Sequence, residues 1–166
     1  MKKTKMLSIC SLMAALCVVI MSLGSLVESL DFSLAVMAGL VVMILSSEYG
    51  DPAAFAVYLV SGLLALILPL KTTAIFFLVF FGWYPIMQKK INMLKPVLAR
   101  VVKFLIFNVA MGLLLFLSAF VTGTTDAPVI YGITAILANL CFVLYDTLLD
   151  RFLIWYILKL RNRLKF

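Results

Sequence analysis

The sequence predicts an all-α integral membrane protein: six transmembrane helices, N- and C-termini in the cytoplasm, and a basic interfacial extension of the last helix. Three observations carry this. Of the 166 residues, 66% are hydrophobic and 13% charged, with a mean hydropathy of +1.22; soluble domains run near half apolar and about a quarter charged. A chain this short leaves too much surface exposed to hide that composition in one globule, so its solvent is lipid. The apolar residues fall into several runs near spanning length, separated by short polar breaks. The one long break, residues 88–103, carries Lys89, Lys90, Lys95, Arg100 and Lys103 and no acidic residue. Lys and Arg in short loops stay on the cytoplasmic side, which pins the middle of the chain inside.

The expected spans are 6–24, 32–46, 52–68, 72–87, 104–121 and 129–145, within a single membrane domain covering 1–166. The first follows Lys2, Lys3 and Lys5; its apolar run, Met6 to Val27, outlasts the ~7–15 residues of a signal-peptide core, so it reads as a span. Ser11 and Ala15 form a small-xxx-small pair that lets another helix approach closely. Glu28 and Asp31 mark an external loop. The second, third and fourth spans lie near the lower length limit, and the second and third also fit a re-entrant hairpin. Between them Asp51-Pro52 reads as an N-cap followed by proline in the first turn. In the fourth span Trp83 and Tyr84 suit the interfacial aromatic belt, and Pro85 ends or kinks the helix. The fifth span is entered by a helix starting near Pro96. The tail after Asp150 has too short an apolar run to cross again, and with Arg151, Lys159, Arg161, Arg163 and Lys165 it lies at the inner interface or extends the sixth span.

With the N-terminus inside, Lys71 alone of the fourteen basic residues falls outside. The protein is therefore expected in the cell membrane, multi-pass, with both ends cytoplasmic. The net charge of +7 then reflects topology and anionic head groups rather than nucleic acid. There is no histidine, and Cys10, Cys17 and Cys141 all sit inside apolar runs without a CxxC spacing. No metal site, cofactor or catalytic residue is expected. HExxH, GxSxG, the P-loop and the dinucleotide glycine fingerprint are all missing from the sequence, so the chain does not read as an enzyme.

Polar groups at membrane depth are the default functional candidates. Asn108 and Asn139 lie at similar distances from the external ends of the fifth and sixth spans, so they reach one depth. There they either bond each other or face a polar ligand. Asp146 and Asp150 share a helix face at the inner boundary, where ion pairing with nearby basic residues is the simpler role.

The segment Leu7-Ser8-Ile9-Cys10-Ser11-Leu12-Met13-Ala14-Ala15-Leu16 after a basic N-terminus, six helices with both ends inside, and Ala138-Asn139-Leu140-Cys141-Phe142-Val143-Leu144-Tyr145-Asp146 before a basic tail resemble the substrate-binding S components of energy-coupling factor (ECF) transporters. The resemblance spans nearly the whole chain in size, topology and texture. It implies capture of a vitamin or similar micronutrient from outside and delivery through a transmembrane coupling subunit driven by two ATPase subunits. The family's Ala-x-x-x-Ala docking pattern on the first helix corresponds to Ser11 and Ala15, with serine in place of the first alanine. The ligand site, toward the outer side, would draw on Glu28, Asp31, Lys71, Thr73, Asn108, Tyr131, Thr134 and Asn139. The alternative is a membrane scaffold or assembly subunit without transport.

Overall fold

The computed structural model describes residues 2–24, 30–68, 71–122 and 128–160, with side chains described outside 2–3, 71, 117–122, 128–131 and 160. All regular structure among them is helical, and the chain divides into two compact units, Met1–Lys90 and Ile91–Phe166. Among the described residues, four helices are long and apolar enough to cross a membrane: Thr4–Ser22, Asp31–Tyr49, Pro96–Phe116 and Gly132–Lys159. By helix length and composition this is a multi-pass membrane protein.

The first unit contains α1 (Lys2–Ser22), α2 (Asp31–Tyr49), α3 (Asp51–Ile67) and α4 (Lys71–Phe76). It also contains α5, Tyr84–Ile91, whose last residue falls just past the unit boundary. α1, α2 and α3 pack against one another. Each does so along a helical stripe: Ala14, Cys17 and Met21 on α1; Leu34, Ala35, Ala38, Val42 and Leu45 on α2; Ala54, Val57, Tyr58, Ser61 and Ala65 on α3. Much of this stripe is alanine or serine. Lipid offers little hydrophobic drive to bring helices together, so close backbone approach and dispersion must do so. The faces pointing away are apolar too, with Leu7, Leu12, Val19, Leu63 and Ile67 exposed, as a lipid-facing surface requires.

α2 and α3 are joined by one residue. Gly50 sits at φ +89° and occupies the N-cap position, and Asp51 is already helical. The expected capping role of Asp51 is thus corrected: a left-handed glycine makes the turn, and the Asp51 side chain is spent elsewhere. α3 has 17 residues, about 26 Å of rise, short of a ~30 Å hydrocarbon core.

The expected fourth span is not one continuous α-helix. α4 gives way to a π-helical turn, Phe77–Phe81, and the chain restarts as α5 with Pro85 in its first turn. The break thus lies upstream of the proline, which sits where its missing N–H costs nothing. In the widened turn Gly82 N–H donates to Phe77 O at 2.7 Å. Tyr58 Oη donates to the Leu78 carbonyl at 2.8 Å, and Trp83 Nε1 to the Val79 carbonyl at 2.8 Å. Side chains replace the backbone bonds that the π turn gives up, as a low-dielectric surrounding demands. Glycine is required at position 82: a Cβ there would stand 2.3 Å from the Tyr58 ring.

The second unit is built on two long helices, α6 (Pro96–Thr122, 27 residues) and α7 (Pro128–Trp155, 28 residues), the latter running on as a π-helical turn, Tyr156–Leu160. The chain after Asp150 therefore extends the sixth span as helix as far as Leu160; Arg161, Arg163 and Lys165 lie outside the described residues. Phe107 stacks on Phe142 with ring centroids 4.5 Å apart, and Phe104 meets the same ring edge-on at 5.5 Å.

Candidate functional site

In the second unit the two deep amides meet. Asn108 Nδ2 donates to Asn139 Oδ1 at 3.0 Å, and Asn139 Nδ2 donates to Asn108 Oδ1 at 3.2 Å. Each amide also donates backward along its own helix: Asn108 to the Phe104 carbonyl at 2.8 Å and Asn139 to the Ala135 carbonyl at 2.9 Å. An amide has two N–H donors and an oxygen with two lone pairs. Both donors on each side chain are engaged here, and each oxygen keeps acceptor capacity. A ligand contacting this pair would have to bring N–H or O–H donors. Asn108 is exposed and Asn139 half-buried; Thr134 lies half-buried on α7.

The same register continues down the hairpin. Five residues back along α6 and seven forward along α7, Lys103 Nζ reaches Asp146 Oδ2 at 2.8 Å. Lys103 is 8% exposed at its side chain and Asp146 20%, so this is a nearly desolvated ion pair. Farther along, Asn92 Nδ2 donates to Asp150 Oδ1 at 3.0 Å. Both carboxylates of the i, i+4 pair are thus held by partners within the chain. A 190 Å³ pocket beside the ion pair is lined by Arg100, Phe104, Phe142 and Thr147. That is below the ~300 Å³ at which small-molecule sites usually begin.

In the first unit, Asp31 and Thr73 come together. The Thr73 hydroxyl, almost fully buried, donates to Asp31 Oδ1. Gly24 closes over the pair, where a Cβ would stand 2.5 Å from Asp31 Oδ1 and 2.6 Å from Thr73 Oγ1. The bond ties the first turn of α2 to α4, and the carboxylate lies at a helix N-terminus, where a negative charge is favoured. Glu28 and the side chains of Lys71 and Tyr131 lie outside the described residues.

Ser11 and Ala15 are both exposed on α1, beside the buried stripe of Ala14, Cys17 and Met21. Ser11 donates to its own Leu7 carbonyl at 3.0 Å, so the hydroxyl is satisfied within the helix. Ser8, Ser11 and Ala15 make a narrow exposed row of small side chains between Leu7 and Leu12. Among the described residues, no three acidic, cysteine or histidine side chains converge to hold a metal.

At the end of the first unit that holds Gly50, a polar cluster fastens the α2–α3 turn to α5. Ser46 Oγ donates to Asp51 Oδ1 at 2.8 Å, and Lys90 Nζ pairs with Asp51 Oδ2 at 3.1 Å. Lys89 Nζ donates to Ser46 at 3.0 Å and Ser47 at 2.9 Å. The Ser46 bond, then the Lys90 contact and the Lys89 charge, hold the Asp51 carboxyl below the usual carboxylate range; burial works against them. Partial burial lowers the Lys89 ammonium from its ordinary value, opposed by the Asp51 charge. In the sequence these lysines serve as topological markers, and nothing in the apolar pattern joins them to Ser46, Ser47 and Asp51. The signal was Ser46, Ser47 and Asp51 flanking one turn while two lysines end the next helix but one.

No protein-family model, curated protein or solved structure matches this chain.

Proposed function

We propose that this protein is the substrate-binding S component of an ECF-type importer. It captures a vitamin or similar micronutrient from outside and passes it to the cytoplasm with a separate transmembrane coupling subunit and two ATPase subunits. The observation that carries the reading is the exposed Ser11–Ala15 face of α1. One side of this helix is packed into its own unit, and on the remainder Ser8, Ser11 and Ala15 form an exposed row of small residues between Leu7 and Leu12, with the Ser11 hydroxyl satisfied within the helix. A partner helix can approach such a face closely, and dispersion between close backbones is what associates helices in lipid. The basic residues support an orientation with both termini cytoplasmic in the cell membrane. The sequence carries no nucleotide-binding fingerprint, so energy has to come from partners, and the chain's role is binding rather than catalysis. Asp31 and Thr73 in one unit, and Asn108, Thr134 and Asn139 in the other, are the described ligand candidates, joined by Glu28, Lys71 and Tyr131 from the sequence.

The test is co-purification. The tagged protein is expressed with an ECF coupling module and solubilised gently. Wild type should retain the coupling and ATPase subunits, and Ala15→Leu should lose them, because a bulky side chain holds the helices apart. Failure of wild type to associate, where an authentic S component does, would sink the proposal.

One observation favours a second reading, a scaffold or assembly subunit. Asn108 and Asn139 spend every N–H on each other and on their own helices, which is how a structural interhelical bond is built. A small molecule that co-purifies with wild type and is lost in Asn108→Leu separates the two.

A further inference from the structure

On the surface of the first unit, a groove of about 390 Å³ lies between α3 and α5. It is lined by Phe55, Trp83, Ile86 and Met87 together with the Asp51–Lys90 ion pair. We propose that this groove binds a zwitterionic phospholipid bearing a primary ammonium head group, of the phosphatidylethanolamine type. The inference rests on the membrane reading and is independent of transport.

The groove has the volume of a small-molecule site. Phe55 and Met87 are exposed, so an acyl chain lying along them continues into the bilayer. Trp83 has committed its indole N–H to Val79, which leaves its apolar ring to flank the glycerol and upper chain at the interfacial depth that tryptophan favours. The ion pair decides the head group. Lys90 and Asp51 stand 3.1 Å apart with side chains 58% and 35% exposed. An exposed ion pair of this kind is worth little, so opening it costs little. Lys90 has three N–H donors, of which Asp51 takes one, and the Asp51 carboxylate has lone pairs beyond those used by Ser46 and Lys90. A phosphate placed on Lys90 and an ammonium on Asp51, joined by a two-carbon link, matches this plus–minus pattern with minus–plus. A glycerol head group brings no cation for Asp51, and its net negative charge meets that carboxylate. A choline head group has a cation but no N–H to donate.

The experiment is native mass spectrometry of the full chain in detergent micelles, titrated with ethanolamine, glycerol and choline phospholipids of identical acyl chains. The ethanolamine lipid should be retained about fivefold better than either of the others, corresponding to about 1 kcal/mol. Lys90→Gln and Asp51→Asn should each bring that ratio close to one. Met87→Trp, which fills the groove from an exposed position, should lower the occupancy of all three without changing the thermal midpoint. Equal retention, a preference for the glycerol or choline lipid, or an ethanolamine preference that survives both charge substitutions would overturn the proposal. Lys90 is exposed enough that Lys90→Gln folds even if Asp51→Asn weakens the α2–α3 turn.

Discussion

Removing one member of the Lys103–Asp146 pair should be far worse than removing both. At 2.8 Å, two unit charges attract by about 6 kcal/mol in a surrounding of effective dielectric about 20. Desolvation of two side chains that are 8% and 20% exposed offsets most of that gross attraction. The asymmetry survives the offset: a charge left buried without its partner costs about 3–5 kcal/mol, while replacing both by apolar residues of similar volume is often neutral or stabilising. The perturbations are Asp146→Asn, Lys103→Met and the double variant Lys103→Met/Asp146→Leu. Asp150 lies within electrostatic reach of Lys103, so the set is made in wild type and again with Asp150→Asn to prevent substitution of one carboxylate by the other. The assay is reversible unfolding of the purified protein in mixed micelles, followed by far-ultraviolet circular dichroism as the denaturing detergent fraction rises. Asp146→Asn should lose about 3–5 kcal/mol, and the double variant should lie within about 1 kcal/mol of wild type. Single losses below about 1 kcal/mol that simply add would mean that the two groups are solvated independently. That would refute a desolvated pair.

Packing, interhelical bonding and protonation at other sites can be tested in the same way. Gly82→Ala should destabilise by about 1–3 kcal/mol through overpacking, because its Cβ meets the buried rings of Tyr58 and Phe77 at 2.3 and 3.0 Å. Gly112→Ala, with nothing within 4 Å, should be neutral or gain up to about 1 kcal/mol of helix propensity; thermal unfolding in detergent compares the two. A double-mutant cycle of Asn108→Leu and Asn139→Leu should give a coupling of about 0.6–1.7 kcal/mol, the range of interhelical bonds in lipid, and a value near zero would mean the amides do not bond. Asp51 is held below its ordinary pKa of 3.8, so its contribution is complete above that pH and is lost as pH falls through the lower folded value. The difference in melting temperature between wild type and Asp51→Asn should be flat from pH 7 to about 5 and shrink in more acid solution; a difference that grows on acidification would contradict the sign.

The amide pair was legible because depth in an antiparallel hairpin follows from counting. Loop positions set the ends, the rise per residue sets the depth, and two rare polar residues at one depth have few other partners. The Lys103–Asp146 pair lies on the same register, yet Lys103 looked like one more basic loop residue. The helix expected from near Pro96 is observed as α6 and carries Lys103, but the burial of its head group against Asp146 came only with the packing of α7. Pro85 announced a break in the fourth span but not its place, which is set upstream where Gly82 lets the Tyr58 ring press against the backbone. Asp51-Pro52 announced a turn, but the capping residue was Gly50, whose positive φ leaves no trace in an apolar pattern.

The sequence by itself determined that the chain is helical and multi-pass, because lipid accepts only backbone whose polar groups are satisfied internally, and composition and run length reveal that constraint directly. It also determined which residues are costly enough to matter: the deep asparagines and the few charges near the helix ends. Tertiary structure alone decided who pairs with whom. Asp31 takes Thr73, Asp51 takes Ser46 and Lys90, and Lys103 takes Asp146. The reason is that such partners are brought together by helix packing and rotation. In a chain whose faces are nearly all apolar, those depend on small differences in side-chain volume that periodicity does not record.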